Sequence, residues 1–130
     1  MVPTLALSAV TTHTETSSLV PELNARVEPG DLVAARYDHY LILLDQTDPA
    51  VQSRLHVLIS SDLPWYVGTA AYPADAVIRA VPPDVVADRG RVFWIADPGV
   101  APPTLPEGYH SLETRCAVLV CLTIYGPSGG

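Results

Sequence analysis

The run Pro29-Gly30-Asp31-Leu32-Val33-Ala34-Ala35-Arg36-Tyr37-Asp38-His39-Tyr40-Leu41-Ile42-Leu43-Leu44-Asp45 opens on a turn signal and continues almost wholly apolar. Glu28-Pro29-Gly30 punctuates the chain, and two extended segments are expected after it, Asp31 to Arg36 and Tyr37 to Asp45. With the period-two alternation of a strand, Tyr40, Ile42 and Leu44 share one face of the second segment. His39, Leu41 and Leu43 share the other.

Downstream, turn punctuation separates further candidate strands at Arg54–Ser60, Trp65–Ala70, Ala76–Val81, Arg91–Ala96 and Cys116–Tyr125. Thirteen prolines leave few windows for a three-turn helix, since an interior proline costs about 3 kcal/mol. The best helical window is Pro82 to Arg89, stopped by Gly90. Val92-Phe93-Trp94-Ile95 and Ala117-Val118-Leu119-Val120 are continuously apolar, as in strands covered on both faces. The proline-rich stretch Asp97 to Glu107 is expected to be a semi-rigid spacer, with a lid or binding loop as the alternative. The fold class these features predict is all-β or β-dominated: a small β-barrel or strongly curved antiparallel sheet with at most short helices. Upstream, residues 11–18 are polar and aperiodic. Residues 1–25 are therefore expected to form a flexible tail with a short helical turn near Pro21-Glu22-Leu23, and residues 26–130 a single β-rich domain.

The net charge of −7 sets 14 acids against 7 bases, all of them arginine, with no basic run. That balance excludes a nucleic-acid footprint and an anionic membrane surface. No basic leader precedes the mildly apolar N-terminus, so a secretory signal is not expected, and no apolar run approaches the ~18 residues of a spanning helix. Hydrophobic content of 48% exceeds what one small core needs, which leaves room for an apolar cavity or a homo-oligomer interface. Cys116 and Cys121 lie five apart; on one strand they would face opposite ways, so an intrachain disulfide is not expected. Two reduced thiols point to a cytoplasmic protein.

The Pro29-Gly30-Asp31-Leu32 turn, the apolar run behind His39, a second histidine at His56 in Leu55-His56-Val57-Leu58, a late Cys116 and the Tyr125-Gly126 ending together resemble the lecithin:retinol acyltransferase family. These are circularly permuted papain-like thiol enzymes, and the resemblance covers about a third of the chain. It implies acyl transfer or hydrolysis on a small-molecule or lipid-like ester or amide. Cys116 would be the nucleophile, His39 its base and His56 the group that orients His39. The chemistry is coherent, because a thiol with an ordinary pKa of ~8.5 needs a neighbouring imidazole to become thiolate near neutrality.

A second reading needs no nucleophile. Aromatic residues fall mostly on candidate strands, and inside a barrel Tyr40, Leu41, Leu43, Trp65 and Trp94 would line an apolar pocket. Such a pocket would bind, cyclise or isomerise a hydrophobic small molecule by shape alone. Cys116, Cys121, His39 and His56 are then core groups. No close metal-ligand pair and no phosphate-cradling glycine loop is present, so neither metal nor cofactor is expected.

Overall fold

The computed structural model describes residues 14–58, 77–78, 80–100 and 104–127. Its elements are α1 (Val20–Arg26), β1 (Leu32–Ala35), α2 (Tyr37–Gln46), α3 (Pro49–Gln52), β2 (Leu55–Leu58), β3 (Val77–Ile78), α4 (Pro83–Ala87), β4 (Val92–Ala96), β5 (Tyr109–Cys116) and β6 (Cys121–Pro127). The strands form one open sheet in the order β3-β2-β1-β4-β6-β5. β3, β2, β1 and β4 pair in parallel, and β6 runs antiparallel between β4 and β5. A β-rich core with short helices is present. The barrel and the all-antiparallel sheet are corrected, because among the described residues the sheet does not close on itself and its first four strands are parallel.

The decisive correction is at Tyr37 to Asp45, which is a helix and not a strand. Strands β1 and β2 are parallel neighbours, and a parallel pair requires a crossover that a hairpin cannot supply. Within the crossover, Tyr40, Leu43 and Leu44 recur at i, i+3 and i+4 and form the stripe that meets the sheet. Leu41 points outward, 48% exposed. Thr47 closes α2: its N–H and its hydroxyl both donate to the Leu43 carbonyl, at 2.9 and 2.7 Å. Pro49 then starts α3 at a position where its missing N–H costs nothing.

β1 and β4 are buried along their whole length, as their unbroken apolar sequences require of central parallel strands. One face carries Val33, Ala35, Leu55, Val57, Phe93, Ile95, Leu122 and Ile124 beneath α1, α2 and α3. The other carries Leu32, Ala34, Val92, Trp94 and Ala96, with Val85 of α4 packed over one end. Fully burying side chains such as Phe93 or Leu23 stabilises the fold by roughly 1.5–3 kcal/mol each.

Two further expectations change. Residues 14–25, assigned to a tail, pack onto the sheet: Leu19, Val20 and Leu23 belong to the core, and Thr16 is fully buried. Cys116–Tyr125 is not one strand but the closing part of a hairpin, with residues 117–120 as its turn. Cys116 and Cys121 face each other across it and form a disulfide, so the two-free-thiol argument for the cytoplasm falls. The candidate strand Trp65–Ala70 lies outside the described residues. Among the described residues no helix is long and apolar enough to cross a membrane.

A buried carboxylate locks the first turn to the sheet. Asp31 accepts from the Glu28 N–H at 2.9 Å, from the Arg91 N–H at 2.7 Å and from Arg91 Nη2 at 2.9 Å. On the far side of β4, the Tyr109 hydroxyl donates to the Gly90 carbonyl at 2.6 Å. Burial raises the Tyr109 phenol above its ordinary pKa, and burial does the same at Tyr125. Each raised phenol contributes stability that is complete below the unfolded tyrosine pKa of ~10 and is lost as pH rises through the folded value. In an alkaline ultraviolet titration of the native protein, a late-ionising fraction is expected, and Tyr109→Phe and Tyr125→Phe should each reduce it. A late fraction unchanged by either substitution would contradict the assignment.

Candidate functional site

Chain direction across the sheet reverses at β1. From β1 the chain crosses through α2 and α3 to β2 on one side, while α4 leads to β4 on the other. In open α/β sheets, ligands bind outside the carboxyl ends of the strands at such a switch point. Here those ends are followed by Arg36, which opens α2, and by Asp97. The two ends are held together by the Arg36 N–H donating to the Ile95 carbonyl at 3.1 Å.

His39, in the first turn of α2, is fully buried at this point. Its Nε2 lies 2.7 Å from Asp97 Oδ1 and its Nδ1 lies 2.9 Å from Thr16 Oγ1. An imidazole with its proton on Nε2 donates there to the carboxylate and accepts at Nδ1 from the threonine hydroxyl. Hydroxyl, imidazole and carboxylate in series have the connectivity of a nucleophilic triad. Thr16, however, has no exposed surface, so its hydroxyl cannot meet a substrate. The series instead braces the N-terminal segment, α2 and β4 against one another. Asp97 is its one wet member, with 45% of its side chain exposed.

Asp97 also borders the other face of the sheet. A groove of about 140 Å³ there is lined by Trp94, Asp97, Val100, Thr114, Thr123 and Tyr125, among others, with Cys121 of the disulfide also on its wall. The cross-strand register explains the lining: Trp94 pairs with Thr123 and Thr123 with Thr114, so one row of the pleat carries an indole and two hydroxyls.

The residues expected to act together are dispersed. Cys116 lies in β5, three strands from β1, about 14 Å at ordinary strand spacing. Its sulfur is bonded to Cys121 and is no thiolate. His56 alternates with Leu55 and Val57, both of which face α2, so it stands on the opposite side of the sheet from His39. Its Nδ1 lies 3.1 Å from the Arg54 carbonyl. The group that orients His39 is Asp97, not His56. Among the ligand candidates, Tyr40 and Leu43 are core beneath α2, Leu41 is on its outer surface, and Trp94 borders the groove on the other face. Of these four, the groove is lined by Trp94 alone. Trp65 lies outside the described residues. Among the described residues no three His, Cys, Asp or Glu side chains stand close enough to share a metal ion.

Asp97 carried a signal that could have been used: an apolar strand ending in Asp-Pro-Gly places an acid where strand meets loop. Thr16 carried none. No protein-family model matches this chain, and no curated protein matches it.

Proposed function

We propose that this domain binds a small amphipathic molecule, about one ring in size, in the groove beside the carboxyl end of β4. The observation that carries this reading is Asp97, a carboxylate at the switch point, braced through His39 and half-exposed where the groove begins. Aromatic walls from Trp94 and Tyr125, with a few fixed polar groups from Asp97, Thr114 and Thr123, have the make-up of a small-molecule site. Asp97 and the net charge of −7 disfavour anions, so the ligand is uncharged or cationic and donates a hydrogen bond to the carboxylate. Of the two sequence-derived readings this keeps small-molecule binding and moves it from a barrel interior to an open sheet face. Acyl transfer by Cys116 draws no support from a sulfur held in a disulfide. That disulfide also favours an oxidising compartment over the cytoplasm.

The test is a panel of small uncharged and cationic ring compounds followed by melting temperature and tryptophan emission. A ligand of the native state raises the melting temperature, and one lying against Trp94 changes its emission. Asp97→Asn should weaken binding about tenfold or more, the scale of one hydrogen bond to a charged group. Leu41→Ala, on the outer face of α2, should leave it unchanged. No response to any compound, or binding that survives both Asp97→Asn and Tyr125→Ala, would sink the proposal.

A further inference from the structure

We infer that the Cys116–Cys121 disulfide is a redox-sensitive latch on this groove, acting on Asp97 through Glu15, Thr16 and His39. The latch regulates the groove proposed above as a ligand site, and so rests on that reading.

The disulfide joins the last residue of β5 to the first of β6 and closes the turn of residues 117–120. The turn sequence Ala-Val-Leu-Val has no Gly, Pro, Asn or Asp, so nothing in it favours a tight reversal. Val118 is 78% exposed. Within the turn, the Ala117 N–H donates to the Val120 carbonyl at 2.8 Å and Val120 is buried in the core, while residues 118 and 119 take their position from contacts outside the turn. Those contacts are the disulfide at its base and the Glu15 carboxylate, which accepts from the Val118 N–H at 2.9 Å and the Leu119 N–H at 2.6 Å. Adjacent backbone N–H groups converging on one carboxylate form an anion-binding concavity. Glu15 is the immediate neighbour of Thr16, whose hydroxyl bonds His39, which bonds Asp97. Contacts thus run from the turn that the disulfide closes to Asp97, and both Asp97 and Cys121 line the groove.

The chemistry requires a dithiol reductant. Its thiolate attacks Sγ of Cys116, the more exposed residue of the pair. A bond forms between reductant and Cys116, the Cys116–Cys121 bond breaks, and Cys121 leaves as a thiolate that takes up a proton. The second thiol of the reductant then displaces Cys116, which leaves as a thiol, and the reductant departs as a disulfide. Two electrons pass to the protein. With the crosslink gone, the turn loosens, its N–H groups lose alignment on Glu15, and the Thr16–His39–Asp97 series loses its anchor.

Amide exchange and His39 ring ¹⁵N shifts, measured on the full chain without ligand, test this in three samples: oxidised protein, protein reduced with dithiothreitol, and oxidised Glu15→Gln. Reduction should speed exchange at Val118, Leu119, Ser18 and Leu19 about tenfold, as for loss of one charge-assisted hydrogen bond, and should shift the His39 ring signals. Amides of Val33 and Phe93 in the central strands should stay protected. Glu15→Gln, with its disulfide intact, should reproduce the His39 shift. Changes confined to residues 116–121, or a His39 signal indifferent to Glu15→Gln, would overturn the latch. So would general loss of protection at Val33 and Phe93, since the disulfide would then be a staple for the whole fold. Because no ligand is present, these outcomes are separate from a failure of the groove to bind.

Discussion

Replacing Asp31 with alanine is expected to cost the fold about 3–5 kcal/mol, the usual loss on removing one partner of a buried ion pair. The Asp31 side chain is 4% exposed against 28% for Arg91, so the carboxylate lies in the interior while the guanidinium is partly wet. Arg91 also donates from Nη2 to the Arg26 carbonyl at 2.7 Å, and Arg54 Nε donates to the Asp31 carbonyl at 2.6 Å. Asp31 thus ties together the turn before β1, the start of β4 and the end of α1. Alanine would leave two backbone N–H groups and one guanidinium without their acceptor in a poorly solvated place. Asparagine would keep one oxygen but turn an N–H₂ toward donors, so Asp31→Asn should fall between wild type and alanine. Domains of this kind are stable by about 5–15 kcal/mol, so the alanine variant should unfold at markedly lower urea. A loss below about 1 kcal/mol would mean that water replaces the carboxylate and that the lock is incidental.

How much of this fold the sequence disclosed can be argued element by element. β1 and β4 were legible because Leu-Val-Ala-Ala and Val-Phe-Trp-Ile-Ala are unbroken apolar runs of strand length. α4 was legible from Pro82-Pro83 before it and Gly90 after it. α2 was not, because Tyr-Leu-Ile-Leu-Leu satisfies both the period of a strand and that of a helix; only the parallel pairing of its flanking strands decides between them. β5 was invisible for a different reason. An edge strand whose residues are nearly all exposed has no apolar alternation, and it carries a register shift between Ser111 and Glu113. Missing β5 made the apolar turn at residues 117–120 look like strand interior, and that error hid the disulfide.

The site follows the same logic. His39 was singled out, but its partners lie 23 and 58 residues away, and nothing in local spacing brings them to it. His56 was the nearer histidine in sequence, yet the pleat of β2 turns it to the other face. Candidate chemistry was legible as residue types; the grouping was not, since topology alone decides which loops meet at the switch point.

Gly90→Ala should destabilise the protein by about 3 kcal/mol or more, at the upper end of what overpacking costs. The requirement at Gly90 is proximity. A Cβ placed there would lie 1.8 Å from the Gly30 carbonyl oxygen and 2.7 Å from the Gly30 carbonyl carbon, with Val85 Cγ1 at 3.2 Å. Backbone has no rotamer through which to yield, so one of the two segments must move. Both are fastened: Gly90 donates its N–H to the Val85 carbonyl at 2.8 Å, and Arg89 before it already takes up a left-handed φ of 55°. Gly30 precedes Asp31 and Leu32, which bond to Arg91 through the carboxylate and through the Leu32 N–H to Arg91 carbonyl contact at 2.8 Å. Separating the segments therefore pulls apart the start of the β1–β4 pairing and the Asp31 lock together. Gly30→Ala is the matched control, because a Cβ there meets nothing nearer than Asp88 Cβ at 3.7 Å, an ordinary contact. That variant should lie within about 1 kcal/mol of wild type, with the reduced freedom of its unfolded chain in its favour. Urea melts of the two variants side by side decide the matter: equal stabilities would show that the approach of Gly90 to Gly30 imposes no constraint.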